Sequence, residues 1–327
     1  MTDLLATGPA ANDTGEPGPA AACTWEELHR ACEEAGGIDA GNGLLLARSA
    51  TLATVVGGPA TSDGPLTGCL RPGGTLVRTP RGYVLDGEWP GVPGAETASR
   101  FGLVAQRDSI AGIGTEPVLV LVPRGAVHIG TNGPAGLLSV HPRTVSVTGL
   151  AVPENAVHDA FAPGTGHLLP VTARCAETSV LLGLARRALT EITRTARHRS
   201  RLGSVHRMAE EPLLQTELNR TVQDFRAARA LFHTELARLP DSASGTTLTT
   251  ARRVTFAAAA LHTYQTAIET IRFSFGKAGG SALYNGHALQ ECWRDAETLA
   301  REFLVSPRAE RAVAHAQLGG RPQPGLI

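Results

Sequence analysis

The chain has 327 residues, with 30 Lys+Arg balanced by 30 Asp+Glu and 42% apolar residues. Zero net charge argues against a general nucleic-acid binder, which needs surplus cation to displace counterions from phosphates. No run of about 18 apolar residues offers a membrane span, and five scattered cysteines without a CxxC pair imply neither a disulfide framework nor a zinc site.

Residues 1–22 are rich in Gly, Pro, Ala and Asp and read as a mobile tail. They lack the basic start and apolar stretch of a signal peptide, so a cytoplasmic protein is expected. Thr24 offers an N-cap, with Glu26 and Glu27 in a first turn whose dipole favours acids. That helix should end at Gly36-Gly37. A second helix over Leu44–Val56 closes at Gly57-Gly58-Pro59. Short apolar runs then follow at Gly82–Leu85, Phe101–Ala105, Val118–Val122 and Val145–Leu150, punctuated by Gly, Pro and Asp. This pattern predicts six to eight strands.

From about residue 170 the period turns helical. Leu181, Leu184, Ala185, Ala188, Leu189 and Ile192 form one face, and Val222, Phe225, Arg229, Phe232, Leu236 and Leu239 a second stripe. After a loop at 240–245, a third helix is expected over 248–277, broken by Gly279-Gly280, and a fourth from 287 to 319. The fold class is thus α+β: a reduced N-terminal helical region (23–58), a small central β domain (59–155), a C-terminal four-helix bundle (156–319) and a short tail (320–327). His141, His158, His167, His198 and His206 show no metal-ligand spacing, and no metal is expected.

Specific segments narrow this architecture. Phe275–Tyr284 (FGKAGGSALY), followed by Leu289-Gln290 and Trp293-Arg294-Asp295, resembles the last two helices of the flavin-dependent monooxygenases within the acyl-CoA dehydrogenase superfamily. Arg199-Ser200-Arg201-Leu202-Gly203 resembles the Arg-x-x-Phe-Gly turn between the first two bundle helices of that superfamily. Gly82–Pro90 resembles its glycine-tyrosine hairpin leading to a tryptophan beside the flavin. Leu66-Thr67-Gly68 and Val152-Pro153-Glu154 stand where it has a Leu-Thr pair and a Val-Pro-Glu. The matches are collinear from about residue 40 to 318, and against that family the N-terminal helical domain looks largely missing.

The resemblance implies a flavin, FAD or FMN. Arg199 would pair with its pyrophosphate, in a neighbouring subunit if not in its own, and Gly279 and Gly280 would let backbone approach it. Thr67 would hydrogen-bond the ring and Trp89 would wall it. Taken without the family, Arg199 belongs to a basic stretch that reads as a solvated face, Gly279-Gly280 to a helix stop, Trp89 to a core and Thr67 to a turn.

Three departures stand against the matches. Pro93 replaces a serine, removing a hydroxyl and an N–H. Gly136–Pro142 (GLLSVHP) replaces a glycine-rich loop near flavin and substrate. The oxygenases place a histidine soon after Trp-Arg-Asp, and here that place on the helix is Glu302, close to where the dehydrogenases keep a catalytic glutamate. Glu302 is therefore the candidate acid–base residue.

The function so implied is a flavin-dependent oxidoreductase, of monooxygenase or dehydrogenase type, acting on a small or carrier-bound substrate in specialised metabolism. It would work as a homo- or hetero-oligomer and, for oxygenation, beside a flavin reductase. The alternative is a chain without flavin: a subunit completed by a partner, or a non-redox enzyme of cyclisation or elimination.

Overall fold

The structure is a computed structural model that describes residues 24–56, 65–108, 114–161, 169–201, 203–240, 247–323 and 325–327. The expected tail at 1–22, the Gly57-Gly58-Pro59 stop, His167, Leu202 and the loop residues 241–245 lie outside them. Among the described residues the fold is mixed α+β, with seven α-helices and one seven-stranded sheet.

Helix α1 (Trp25–Ile38) opens on the expected cap. Thr24 Oγ accepts from the Glu27 N–H while Glu27 returns a bond to the Thr24 N–H, a capping box. The helix ends at Ile38, one residue past the expected Gly36-Gly37 stop, with Asp39 as its C-cap. A Cβ on Gly36 would lie 2.2 Å from the Val180 carbonyl oxygen, so the glycine also serves close helix packing. Helix α2 (Ala40–Val56) follows after Asp39.

The sheet comprises β1 (Leu66–Thr79), β2 (Gly82–Val92), β3 (Arg100–Asp108), β4 (Thr115–Pro123), β5 (His128–Ile129), β6 (Arg143–Val152) and β7 (Val157–His158), in the order β5-β6-β2-β1-β3-β4-β7. Only β1 and β3 pair in parallel. Its two faces bury different cores, as the two-residue side-chain period dictates. Leu66, Leu70, Val104 and Leu119 face the helices. Leu85, Trp89, Phe101, Leu103, Val120 and Val145 form a second cluster on the other side.

The second half carries α3 (Leu169–His198), α4 (Pro212–Leu236), α5 (Thr250–Lys277), α6 (Ala288–Leu299) and α7 (Pro307–Gln317). Helix α3 packs on α1, α2, α5 and α6, and α4 packs on α5. Leu181, Leu184, Ala185, Ala188 and Ile192 of the expected stripe are fully buried; each large aliphatic there contributes about 1.5–3 kcal/mol. The fourth expected helix is split. Helix α6 ends at Leu299, a short 3₁₀ turn spans Phe303–Val305, and α7 restarts at Pro307 with Ser306 as its N-cap. Proline has no N–H and forces the preceding residue out of helical geometry, so the chain cannot run through. No helix among the described residues is long and apolar enough to cross a membrane.

Candidate active site

The junction between helices and sheet holds a buried cluster of charge. Arg48 on α2 reaches Glu177 on α3 at 3.2 Å and Glu302 at 2.8 Å. The side chains of Arg48 and Glu177 are each 2% exposed, against 22% for Glu302, so Glu302 is the member that meets solvent. It stands after α6, at the start of the Phe303 turn, and not on a continuous helix as the sequence implied. On α5, Tyr264 donates to the Leu299 carbonyl at 2.6 Å and sets that turn. Arg174, one turn before Glu177, donates to the carbonyls of Leu304 and Leu326.

Electrostatics follow from this crowding. Burial pushes the Glu177 carboxyl up from its ordinary range, against the pull of Arg48 and with the help of the Glu302 charge. Arg48, which loses solvation but gains two carboxylates, holds its proton more tightly than usual. The two acids share one cation, so the net cost falls on Glu177. Arg174, buried with only carbonyl acceptors, drops to about 10. Burial also raises the Cys69 thiol, on β1 beside Arg48, and the Tyr264 phenol. Arg48 Nε and Nη1 and Glu177 Oε2 are buried without a hydrogen-bond partner. Orphaned groups of this kind are expensive in a closed core and are what a polar ligand would satisfy. Next to Glu302 in the chain, Phe303 lines a cavity of about 250 Å³ with Leu70, Arg71, Val104, Phe161 and Leu326.

The residues expected around a flavin ring are placed differently. Thr67 is buried and donates its only hydroxyl proton to the Pro93 carbonyl at 2.6 Å. The hydroxyl proton is thus held inside the sheet, and the oxygen keeps its capacity to accept. Trp89 is 0% exposed and donates its indole N–H to the Val104 carbonyl at 2.7 Å. Its ring lies over Gly73, Gly74 and Gly87, where a Cβ would come within 2.6–2.7 Å of it. Trp89 packs here as a core aromatic.

Arg199 and Gly279-Gly280 share the far end of the helices. Arg199 follows α3, exposed, and its carbonyl accepts from Met208 N–H. Met208, Ala196 and Leu214 cluster with Phe273 near the end of α5, which leads to Gly279. Within the basic stretch Arg194 pairs with Glu191 and Arg201 with Glu211, whereas Arg199 has no carboxylate partner among the described residues. Gly279 has φ +78°, and a Cβ on either glycine would meet nothing within 4 Å. Leu213, Leu283 and Tyr284 are exposed at this end. At about 1.5 Å per residue, Arg199 lies roughly 30 Å along α3 from Glu177, so one chain does not bring Arg199 and Glu302 together.

The departures noted in the sequence also have structural roles. The 136–142 loop carries left-handed Leu137 (φ 57°) and His141 (φ 40°), which non-glycine residues seldom adopt. Asp295 of the Trp-Arg-Asp segment holds it by accepting the Leu137 N–H at 2.6 Å, while Trp293 stacks on Phe275 with 4.9 Å between centroids. Sequence reasoning missed Arg48, Arg174, Glu177 and Tyr264. The available signal was charge inside helical stretches that otherwise carry none, as Arg48 is within Leu44–Val56 and the pair Arg174 and Glu177 within Leu169–Ala185.

Comparison with known proteins bears on the domain and the fold. A family described as acyl-CoA dehydrogenase, C-terminal domain, matches residues 176–307. The fold resembles XiaF from Streptomyces sp., solved with FADH2 and glycerol (TM-score 0.76, 19% identity, 91% of this chain and 82% of that one). It resembles the HsaA monooxygenase from M. tuberculosis (0.77, 18%, 94% and 86%). It also resembles dibenzothiophene monooxygenase TdsC from Paenibacillus sp. A11-2 (0.74, 22%, 92% and 85%). No curated protein matches. Residues 176–307 thus carry the acyl-CoA dehydrogenase C-terminal domain, and the chain as a whole has the fold seen in these three solved proteins.

Proposed function

We propose that the protein is a flavin-dependent oxidoreductase of the monooxygenase type, acting on a small organic substrate and using flavin reduced by a separate reductase. The observation that carries this reading is the buried Arg48–Glu177–Glu302 cluster, with orphaned polar atoms, at the helix–sheet junction of this fold. Solved relatives bear FADH2 or FMN, and one is bound to indole. The α3–α6 packing supports reading the second half as the superfamily's four-helix bundle.

The residues fit a flavin at two separate places. Arg199, with the open backbone at Gly279-Gly280, suits a phosphate group, since an uncommitted guanidinium and free N–H groups are what an anion needs. Arg48 and Glu302 suit the reacting end. A five-carbon ribityl chain cannot bridge about 30 Å, so Arg199 serves a cofactor seated against a neighbouring copy, and an oligomer follows. Exposed Leu213, Leu283 and Tyr284 beside it support the same arrangement.

Bound flavin supplies the electrons that reduce dioxygen. The chain's own task is then to hold substrate and manage protons. In this reading Glu302, partly exposed and paired with Arg48, exchanges a proton with substrate, while Glu177, whose carboxyl burial pushes up, braces Arg48 from the other side. Leu70, Phe161 and Phe303 give the neighbouring cavity an apolar wall, with Arg71 and Gln106 among its polar members. Glu302→Gln should lower turnover about 10²–10⁴-fold while leaving flavin affinity unchanged. Oxygen-18 incorporation into a probe such as indole, with flavin reductase and NADH, reads the rate; an unchanged rate removes Glu302 from the chemistry.

A second reading has its own observation. Thr67 and Trp89 are committed inside the sheet and Pro93 has lost a donor, which favours a chain whose site is completed by a different partner or holds no flavin.

A further inference from the structure

Away from the charged cluster, metal-ligating side chains converge where α1 meets α4. His29 and Glu33 stand one turn apart on α1 and share a face, and α4 brings His233 to them. One ligand atom from each of the three lies within 4.8 Å of the other two. His29 and Glu33 are buried and His233 is half-buried. The two imidazoles meet edge to face, 4.5 Å between centroids.

Hydrogen bonds around His29 fix its tautomer. Ser179 Oγ donates its single proton to the Cys175 carbonyl at 2.6 Å, so towards His29 Nδ1, 2.7 Å away, it can only accept. Nδ1 therefore carries the proton, and in the neutral ring Nε2 presents a lone pair. That lone pair faces Glu33 Oε2 at 3.0 Å. Two acceptors at this separation require a proton or a cation between them. His233 adds a buried Nε2 with no hydrogen-bond partner. An imidazole whose second nitrogen is held by an oxygen acceptor is the arrangement that orients metal ligands.

We propose that His29, Glu33 and His233 bind one divalent transition-metal ion of the zinc type, clasping α1 to α4. Two imidazoles and a carboxylate are a recognised donor set for such ions, with a fourth position left to water. Bond lengths of about 2.0–2.2 Å would draw the donors to roughly 3.3 Å apart in a tetrahedral site, so the rings close inward on binding. Arg229 stands 3.0 Å from Glu33 Oε2 and Arg186 4.0 Å from Oε1. Both cations oppose a dication, while Arg229 also fixes the carboxylate from outside. The competing occupant is a proton on His29 Nε2.

Untagged protein stripped with chelator and dialysed against zinc chloride decides between them. The expected result is one zinc per chain, with zinc affinity lowered about tenfold or more in Glu33→Gln and in His233→Ala, both checked for fold by circular dichroism. Cobalt substituted into the wild type should give d–d absorption bands, which keeps the test available if a variant does not fold. Substoichiometric zinc, equal retention by folded variants, or no cobalt bands overturns the site.

Discussion

Arg48→Met should destabilise the fold by about 3–5 kcal/mol near neutral pH, because removing one partner of a buried pair leaves uncompensated charge. Here it leaves two acids: Glu177 and Glu302 both lean on Arg48, at 3.2 and 2.8 Å. The loss should grow with pH. Glu177 already has a folded pKa above its unfolded one, since burial outweighs the pull of Arg48. Its contribution favours the folded state below the unfolded carboxylate range and is lost as pH climbs through the raised folded value. Without Arg48 that folded value rises further and the penalty deepens. Urea titrations across that window should show stability falling with pH in the wild type, by at most about 1.4 kcal/mol per unit from this group, and a flatter profile in Glu177→Gln. An Arg48→Met loss under about 1 kcal/mol, independent of pH, would mean that the cluster is not buried as described.

Gly183→Ala should cost about 2–3 kcal/mol by overpacking, although alanine is the better helix former. The reason lies in the α1–α3 crossing. A Cβ on Gly183 would lie 2.0 Å from the Glu33 carbonyl oxygen and 2.6 Å from the Gly37 nitrogen. Both are backbone atoms, so no rotamer relieves the clash and α1 must move. Gly276→Ala in α5 is the paired control: its Cβ would meet nothing within 4 Å. It should stabilise the protein by up to about 1 kcal/mol from helix propensity alone. Thermal or urea unfolding of both variants checks the contrast. A neutral Gly183→Ala would show that α1 does not dock on α3 through its backbone.

Local periodicity made most of the elements legible. The runs at Gly82, Phe101, Val118 and Val145 lie in β2, β3, β4 and β6, and the third long helix runs Thr250–Lys277 against an expected 248–277. Stops were harder to read, because a glycine pair that ends one helix packs another. Gly36-Gly37 lies in the last turn of α1 and packs on α3, whereas Gly279 at φ +78° follows the end of α5. The site was less legible than the fold. Thr67, Trp89, Arg199, Gly279, Gly280 and Glu302 rested on family likeness, which says nothing about what a hydroxyl or indole finds to bond with in this chain. Thr67 found Pro93 and Trp89 found Val104. Arg48 and Glu177 are 129 residues apart in sequence and their pairing is set by tertiary packing, so no local spacing announced it. The same holds for His29 and His233.

In the proposed arrangement a flavin is shared between copies of this chain, held by Arg199 on one side and served by Glu302 on the other. Anaerobic titration of purified protein with FAD and FMN, oxidised and reduced, tests it most directly, with light scattering on the same samples. The expected result is an oligomer with saturable binding of at least one flavin form. Binding should weaken about 10–100-fold in Arg199→Ala, as loss of a charge-assisted contact to phosphate implies, and stay unchanged in Glu302→Gln. A monomer that binds neither flavin in either redox state would contradict it.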